Sequence, residues 1–253
     1  MVKDEADVIF DSISRMYAQV DQVIVADNLS TDGTREILEQ FPGLIVVEDK
    51  DPAYYQSTKM TGLAQHAADL GATWVIPFDA DEVWLPTAND LRTSFERIPP
   101  EALTVSATLY DHVPTGDDPP GPPIRSMLYR RQSPTPMRKV AVRSRPGLVI
   151  RQGNHSADFA DVRTPLDAPG VLEVRHFPVR SPEQFIRKAR NGAAAYAASN
   201  LPETTGAHWR NWGKFSDAQL REIFYKWYFR ADPKLEVEID GERQGALIYD
   251  PCP

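Results

Sequence analysis

The sequence predicts an α/β fold: a doubly wound, mostly parallel sheet with helices on both faces and a mixed C-terminal part. Three short apolar runs, at 22–26, 44–47 and 73–78, have the length of buried strands. Segments with helical periodicity separate these runs, and polar loops join strand to helix. Strands that alternate with helices in this way form parallel sheets in α/β proteins.

Each element of this first part has its own signal. Residues 4–20 place apolar side chains such as Ile9 and Ile13 at three- and four-residue steps, which predicts a first helix. Two more helical patterns follow the first two strands, at 34–41 and 60–70. The segment before the first helix is so short that the first strand of such a sheet has almost no residues.

The regular alternation of predicted strands and helices ends beyond Glu82. Further strands are predicted at 105–110, 127–131, 140–142, 148–150 and 171–174. The proline-rich segment 114–123 predicts a loop. Accordingly, we divide the chain into residues 1–112 and 113–253, which we expect to form one compact unit.

Two helices are predicted near the C-terminus. Ser181 is a predicted N-cap, because Pro182 follows at the first helical position and Gln184 stands three residues after the cap. This helix should end near Ser199. A last helix is predicted at 217–229 from the apolar residues on one of its sides.

Composition restricts the function. The chain has 28 Lys and Arg against 36 Asp and Glu, and its net charge of -8 disfavours binding to nucleic acid. Its single cysteine, Cys252, excludes an intramolecular disulfide and a thiolate metal cluster. We find neither a signal peptide nor a transmembrane segment in the sequence, and we expect a cytoplasmic protein.

Polar residues follow the ends of the predicted strands. Asp27 and Asn28 come after the first apolar run, Glu48 and Asp49 after the second, and Asp79 to Glu82 after the third. Because ligands of parallel sheets bind beyond the carboxyl ends of the strands, these side chains should share one crevice. Two carboxylates at i and i+2 lie on one side of an extended segment and suit Mg²⁺ or Mn²⁺, whose coordination a nucleotide diphosphate can complete.

Three segments in the same order resemble glycosyltransferase family 2, which has the GT-A fold. They are VKDEADVI at the start, IVADNLSTDGT, and Lys59-Met60-Thr61-Gly62 followed by a helix, a strand and the Asp-x-Asp motif at Asp79. The resemblance covers about residues 2–85. It implies a metal-dependent, sugar-nucleotide-dependent glycosyltransferase of the inverting type, with a UDP-sugar as the expected donor.

The resemblance also implies roles for single residues. Glu5, Asp27 and Asn28 would lie near the base or ribose. Lys59 would lie near the diphosphate, Asp79 by the ribose or metal, and Asp81 on the metal. Asn28 stands where many relatives have a second aspartate, and an amide suits uracil but also other bases. Asp32 is more simply interpreted as a helix N-cap.

Fewer motifs appear in the C-terminal half. VRHFPVRSPEQFIRKA resembles a segment found after the metal motif in some relatives, which makes His176 a candidate metal ligand that suits Mn²⁺. His155 is a second candidate. The basic residues Arg138, Lys139, Arg143 and Arg145 could hold phosphate or an anionic acceptor, or could be a solvated strand edge.

Inverting transfer needs a base that deprotonates the acceptor hydroxyl. We prefer Asp158 for this role; Asp161, Asp111 and Glu82 are the alternatives that the sequence leaves open.

Two other functions fit parts of the sequence. FDADEV also fits a haloacid-dehalogenase-like phosphatase with Asp79 as nucleophile and Asp81 as acid and base. That class usually has this motif near the N-terminus and needs paired acids after a later strand, whereas Asp117 and Asp118 lie in the proline-rich loop. A non-catalytic nucleotide-binding module would keep Asp27 and Asp81 but lack a base. The sequence does not identify the transferred sugar or the acceptor.

Overall fold

The computed structural model describes residues 1–87 and 90–253. The chain divides into two compact units, each made of several segments. Unit 1 comprises Met1–Asp49, Tyr55–Tyr110 and Pro134–His176. Unit 2 comprises Lys50–Tyr54, Asp111–Ser133 and Phe177–Pro253.

Helices and strands alternate in the N-terminal part, as predicted. The elements are α1 (Ile9–Tyr17), β1 (Ile24–Asp27), α2 (Thr34–Leu38), β2 (Ile45–Glu48), α3 (Gln56–Asp69), β3 (Trp74–Val75), β4 (Glu82–Pro86), α4 (Leu91–Glu96) and β5 (Thr104–Asp111). The predicted third strand at 73–78 is reduced to two residues in β3, and β4 is a strand that the sequence analysis did not predict.

The middle of the chain adds mainly strands. The elements are the helix α5 (Pro123–Ser126) and the strands β6 (Tyr129–Arg130), β7 (Arg138–Arg143), β8 (Leu148–Ile150), β9 (Ala157–Phe159) and β10 (Leu172–His176). The loop predicted at 114–123 is irregular up to Pro122, and α5 begins at Pro123.

The strands of unit 1 form separate sheets. β1 and β2 pair in parallel, and five strands form a second sheet in the order β3-β7-β5-β10-β4. The pairs β3/β7, β7/β5 and β10/β4 are antiparallel, and β8 pairs antiparallel with β9. The predicted mixture of strands and helices is confirmed, but the doubly wound, mostly parallel arrangement is not, because β7 runs antiparallel to β3 and β5 and β10 runs antiparallel to β4.

Apolar faces of helices and strands form the core of unit 1. Ile9, Ile13 and Met16 on α1 are at most 1% exposed, as their helical spacing predicted. Ile9 and Ile13 pack with Val23 and Val25 of the β1 segment. A second cluster packs Trp84 of β4 with residues from other strands of the five-stranded sheet and from α1 and α4. These clusters fix the strand ends that carry the polar residues.

Unit 2 contains helices and short hairpins. Its C-terminal elements are α6 (Pro182–Ala197), α7 (Ala207–Trp212), α8 (Asp217–Ile223), a π-helical turn (Phe224–Tyr228), β11 (Val237–Ile239), β12 (Glu242–Gln244) and β13 (Ile248–Tyr249). The Oγ of Ser181 accepts a hydrogen bond from the backbone N–H of Gln184, which confirms the predicted N-cap. The last predicted helix is correct to Ile223 and continues as the π-helical turn.

Among the described residues, the longest helices are too short or too polar to cross a membrane.

Candidate active site

The ends of β1 and β2 bring an amide, a carboxylate and a lysine together. The Nδ2 of Asn28 donates to the backbone carbonyl of Asp49 at 2.9 Å and to its Oδ2 at 3.0 Å. The Nζ of Lys59, on α3, lies 2.6 Å from the same Oδ2. The side chains of Lys59 and Asp49 are both 13% exposed. Asn28 and Lys59, which the sequence suggested from separate motifs, are thus joined through Asp49.

Carboxylates near β1 bind the backbone of the following turn. Asp27 is buried, and its Oδ1 accepts a hydrogen bond from the N–H of Ser30 at 3.2 Å. Asp4 is also buried, and its Oδ1 accepts from the N–H of Thr31 at 2.7 Å. These contacts fix the shape of the Asn-Leu-Ser-Thr-Asp-Gly-Thr turn.

Asp32 completes this turn. Its Oδ1 accepts from the N–H of Thr34 at 3.0 Å and from the Thr34 hydroxyl at 2.6 Å, and its Oδ2 accepts from the N–H of Ala6 at 3.0 Å. The N-cap position of α2 is Gly33, in the left-handed region at φ 97°, so Asp32 binds the first helical N–H from one residue earlier than a cap would. The backbone N–H of Glu5 donates to the Thr34 hydroxyl at 2.8 Å.

Lys139 on β7 forms ion pairs with two acidic residues at the Asp-x-Asp motif. Its Nζ is 2.6 Å from Asp79 Oδ2 and 2.7 Å from Glu82 Oε1. The other oxygen of Glu82 accepts from Trp84 Nε1 at 3.1 Å and from the N–H of Asp79 at 3.2 Å. Glu82 is fully buried and the Lys139 side chain is 5% exposed. One buried lysine therefore holds both ends of the turn that carries Asp81.

The charges of this network depend on one another. Burial opposes the charge of Lys139, but the Asp79 and Glu82 carboxylates outweigh it and raise the pKa of the lysine. Burial likewise works against the Asp79 charge, and Lys139 outweighs it and lowers the pKa of that carboxyl. Burial raises the pKa of Glu82, a rise that Lys139 limits. The pair of Lys139 and Asp79 is therefore ionised.

The second oxygen of Asp79 faces two amides. Asn154 Nδ2 lies 3.2 Å and Gln56 Nε2 lies 3.4 Å from Asp79 Oδ1. Gln56 Oε1 in turn accepts from the N–H of Gly153 at 2.7 Å. Asn154 is fully buried, and its backbone is left-handed at φ 59°. Protein groups therefore contact both oxygens of Asp79.

Asp81 pairs with His176 instead. The distance from His176 Nε2 to Asp81 Oδ2 is 3.8 Å, and the two side chains are 20% and 6% exposed. Strand pairing fixes this approach, because His176 ends β10 directly opposite Glu82 at the start of β4. The structure thus brings together the two residues that the sequence nominated as metal ligands.

This pair fits a divalent ion as an incomplete ligand set. Two ligands at about 2.1 Å from one ion are at most about 4.2 Å apart, and the observed 3.8 Å is within that limit. A carboxylate with an imidazole suits Mn²⁺. No cluster of three or more His, Cys, Asp or Glu that could hold a metal occurs in residues 1–87 and 90–253.

The candidate bases have different surroundings. Asp158 is an exposed residue of β9 that forms an ion pair with Arg151. Asp161 forms an ion pair with Arg145. Glu82 is fully buried against Lys139, which makes it a poor proton acceptor for a substrate. Asp158 stays a prediction.

The basic residues between 138 and 145 do not form one surface patch. Lys139 points into the motif, whereas the guanidinium of Arg143 lies 4.4 Å from the ring centre of Trp74. Sequence reasoning missed Lys139 as the partner of Asp79. The available signal was a lysine directly before the buried strand residues Val140 to Val142, where a charge requires a partner.

His155 lies beside the same network. Its Nδ1 is 2.7 Å from the backbone carbonyl of Arg138, so this nitrogen carries the hydrogen and Nε2 is the acceptor. Burial lowers the pKa of His155, which favours the neutral ring. A neutral imidazole with an acceptor nitrogen is the form that binds metals or hydroxyl groups.

The polar residues at the ends of β1 and β2 and those of the Asp-x-Asp motif belong to the same α/β unit. The sequence model described as Glycosyl transferase family 2 matches residues 2–153. The match covers more than half of the chain and includes β1, α3, the Asp79 motif and Lys139. The chain belongs to glycosyltransferase family 2. No curated protein matches the sequence.

Proposed function

We propose that the protein is a metal-dependent glycosyltransferase that transfers a sugar from a UDP-sugar to an acceptor hydroxyl. The distance of 3.8 Å between Asp81, which lies within the matched residues 2–153, and His176 carries this proposal. Members of the family generally use nucleotide-sugar donors and divalent metals, and the pair supplies one oxygen and one nitrogen ligand. The bound ion would stabilise the negative charge that develops on the leaving diphosphate.

Donor binding follows from the residues beside β1 and β2. Glu5, Asp27 and Asn28 are proposed to surround the base and ribose. Lys59 is proposed to bind the diphosphate, which would replace Asp49 as its anionic partner. This exchange suits a lysine, whose ammonium is a mobile point charge.

Asp79 is proposed to shape the site. Because Asp79 forms an ion pair with Lys139, we assign the metal ion to the other carboxylate of the motif, Asp81. The accessible side of Asp79 is proposed to contact the ribose, since 27% of the side chain is exposed.

The acceptor side is assigned to residues 113–253 and donor binding to residues 1–112. With inversion, Asp158 would take the proton of the acceptor hydroxyl. Its ion pair with Arg151 would have to open for this step, so that the carboxylate could face the acceptor hydroxyl. A non-catalytic nucleotide-binding module is the alternative function. Turnover of a nucleotide-sugar would separate a glycosyltransferase from such a module. Family membership replaces the phosphatase interpretation of Asp79.

A turnover assay tests the proposal. The purified chain is incubated with single UDP-sugars and MnCl₂, and UDP release is measured with and without EDTA. We expect slow, metal-dependent release from at least one UDP-sugar, because water can replace a missing acceptor. Release that is equal in EDTA would contradict metal dependence, and no release from any donor, with UDP still bound, would favour the non-catalytic module.

A further inference from the structure

Two arginines of unit 2 bind one neutral side chain. The Nη1 of Arg131, directly after β6, donates to Gln244 Oε1 at 2.6 Å, and the Nη2 of Arg230 donates to the same oxygen. Gln244 is the last residue of β12. Within the part of the chain that the structure describes, no carboxylate forms an ion pair with either arginine. Two positive charges therefore converge on an amide oxygen that carries no charge.

Neighbouring arginines of unit 2 have carboxylate partners. The Nε of Arg130 lies 2.5 Å from Asp250 Oδ2, and the Nε of Arg243 lies 3.0 Å from Glu236 Oε2. A carboxylate or a phosphate is the partner that a guanidinium binds most strongly, because such an anion can accept two parallel N–H groups. The two arginines that share an amide oxygen are therefore without the type of partner that their neighbours have.

Burial makes this arrangement more costly for Arg230. This residue is 4% exposed, and its Nε is buried and has no hydrogen-bond partner among the described residues. Burial, and after it the charge of Arg131, lowers the pKa of Arg230. A guanidinium nevertheless stays protonated in proteins, so a nearby anion is what can balance its charge.

Backbone contacts hold Arg230 in place. Its N–H donates to the carbonyl of Pro114 at 3.0 Å, and its carbonyl accepts from the N–H of Gly116 at 2.9 Å. A Cβ at Gly116 would lie 2.4 Å from the carbonyl oxygen of Ala231, so this close approach requires glycine. Gln244, in contrast, reaches the arginines through a flexible side chain on the hairpin of β11 and β12. The arginine is therefore fixed, and the glutamine side chain is the part that can move.

We infer that Arg131 and Arg230 form a binding site for a phosphate group, which replaces Gln244 Oε1 as their common acceptor. A phosphate monoester carries a charge of about −1.5 to −2 at pH 7, which matches two guanidinium groups. The Nε and Nη2 of Arg230 lie on one edge of the guanidinium, so a phosphate in this position also reaches the unpaired Nε. Arg131 and Gln244 are partly exposed, which gives the phosphate a side from which to enter.

This site is separate from the residues to which we assign the donor and the metal ion. Both arginines and the glutamine belong to unit 2. The inference therefore does not rest on the proposed function, and its test needs no sugar transfer.

Thermal unfolding of the full chain tests the inference. The unfolding temperature is measured with increasing sodium phosphate at pH 7, with sodium chloride keeping the ionic strength constant. We expect phosphate to raise it by at least about 2 °C relative to chloride alone. Glycerol 3-phosphate is the second probe, and tighter binding of this monoester than of inorganic phosphate would identify a phosphorylated molecule as the ligand. Tighter binding of inorganic phosphate would identify the free ion.

Two variants of the site and one control sharpen the test. Gln244→Glu supplies the missing carboxylate at nearly constant shape. We expect it to raise the unfolding temperature without phosphate and to weaken phosphate binding at least about 10-fold, since the site is then already balanced. Arg131→Met removes one cation at a partly exposed position and should weaken phosphate binding by a similar factor. Arg243→Met is the control, because the side chain of Arg243 is 83% exposed beside Gln244, and it should leave the affinity within about twofold.

Three results would overturn the inference. The first is a chain that phosphate stabilises no more than chloride does. The second is phosphate affinity that both Gln244→Glu and Arg131→Met leave unchanged, which would place the bound phosphate elsewhere. The third is stabilisation by succinate that equals or exceeds that by phosphate, which would make the arginine pair a site for carboxylates.

Discussion

Two acidic regions of unit 1 use the same side chains for different purposes. Around the turn after β1, the carboxylates of Asp4, Asp27 and Asp32 accept backbone N–H groups. Around the Asp-x-Asp motif, Asp79 and Glu82 share a buried lysine, and Asp81 faces an imidazole. The carboxylates of the first region shape a loop, whereas those of the second region neutralise a buried lysine and approach a histidine.

The partner of a carboxylate therefore indicates its role better than its sequence motif does. Asp79 and Asp81 are two residues apart in one motif. Lys139, Asn154 and Gln56 contact Asp79, whereas Asp81 lies 3.8 Å from the Nε2 of His176. We therefore expect substitutions in the two regions to separate stability from activity.

The largest effect is expected from Lys139→Met. The substitution leaves Glu82 fully buried without its counter-charge, which should cost about 3–5 kcal/mol of unfolding free energy. Urea denaturation followed by fluorescence measures it. Arg138→Met is the matched control, since Arg138 is exposed on the same strand and should change stability by about 0.5 kcal/mol or less. Similar losses in the two variants would refute the central role of Lys139.

Asp81→Asn should act on turnover alone. Loss of this ligand should lower the rate of UDP release by about 10²–10³-fold, since it removes stabilisation of the developing charge. The unfolding temperature should remain within a few degrees of the original chain. Asp69→Asn, at an exposed position of α3, serves as the control and should leave the rate unchanged. An active Asp81→Asn variant would remove Asp81 from the metal site.

His176→Gln should have a smaller and metal-selective effect. Glutamine keeps an oxygen ligand but loses the imidazole nitrogen, which Mn²⁺ prefers over Mg²⁺. We expect Mn²⁺ affinity to fall by about 10-fold and Mg²⁺ affinity to change less. Titration of each ion in the presence of UDP gives both constants. Equal weakening of the two ions would argue for a structural role of His176.

The smallest effect belongs to the loop region. Asp32→Ala removes the acceptor of the Thr34 and Ala6 N–H groups and should cost about 1 kcal/mol of stability. Turnover at saturating donor should stay within about twofold, because the substitution acts on the loop and not on the ion. Denaturation and steady-state kinetics on one preparation give both numbers. A large drop in turnover with unchanged stability would reverse the contrast between the two regions.

Local signals in the sequence predicted much of the fold. The spacing of Ile9 and Ile13 gave the buried face of α1, and Ser181 with Pro182 and Gln184 gave the start of α6. Such signals involve residues within one or two turns of each other. Sheet pairing depends on distant segments, and the antiparallel insertion of β7 and β10 could not be deduced from the apolar runs alone.

The same distinction applies to the site. Asn28, Lys59, Asp81 and His176 were nominated from motifs, and the structure brings them into the pairs described above. Lys139 was missed as the counter-charge of Asp79 because 60 residues separate the two in the chain. The third strand was predicted too long, because pairing with β7 is limited to Trp74 and Val75 and a strand needs a paired neighbour as well as an apolar sequence.

Calorimetry of UDP binding tests the central claim most directly. UDP is titrated into the original chain and into Asp81→Asn, each with MnCl₂ and with EDTA. We expect binding to the original chain to weaken at least about 10-fold in EDTA, and we expect the Asp81→Asn variant to bind weakly under both conditions. Equal UDP affinity of the original chain in MnCl₂ and in EDTA would contradict a metal site formed by Asp81 and His176.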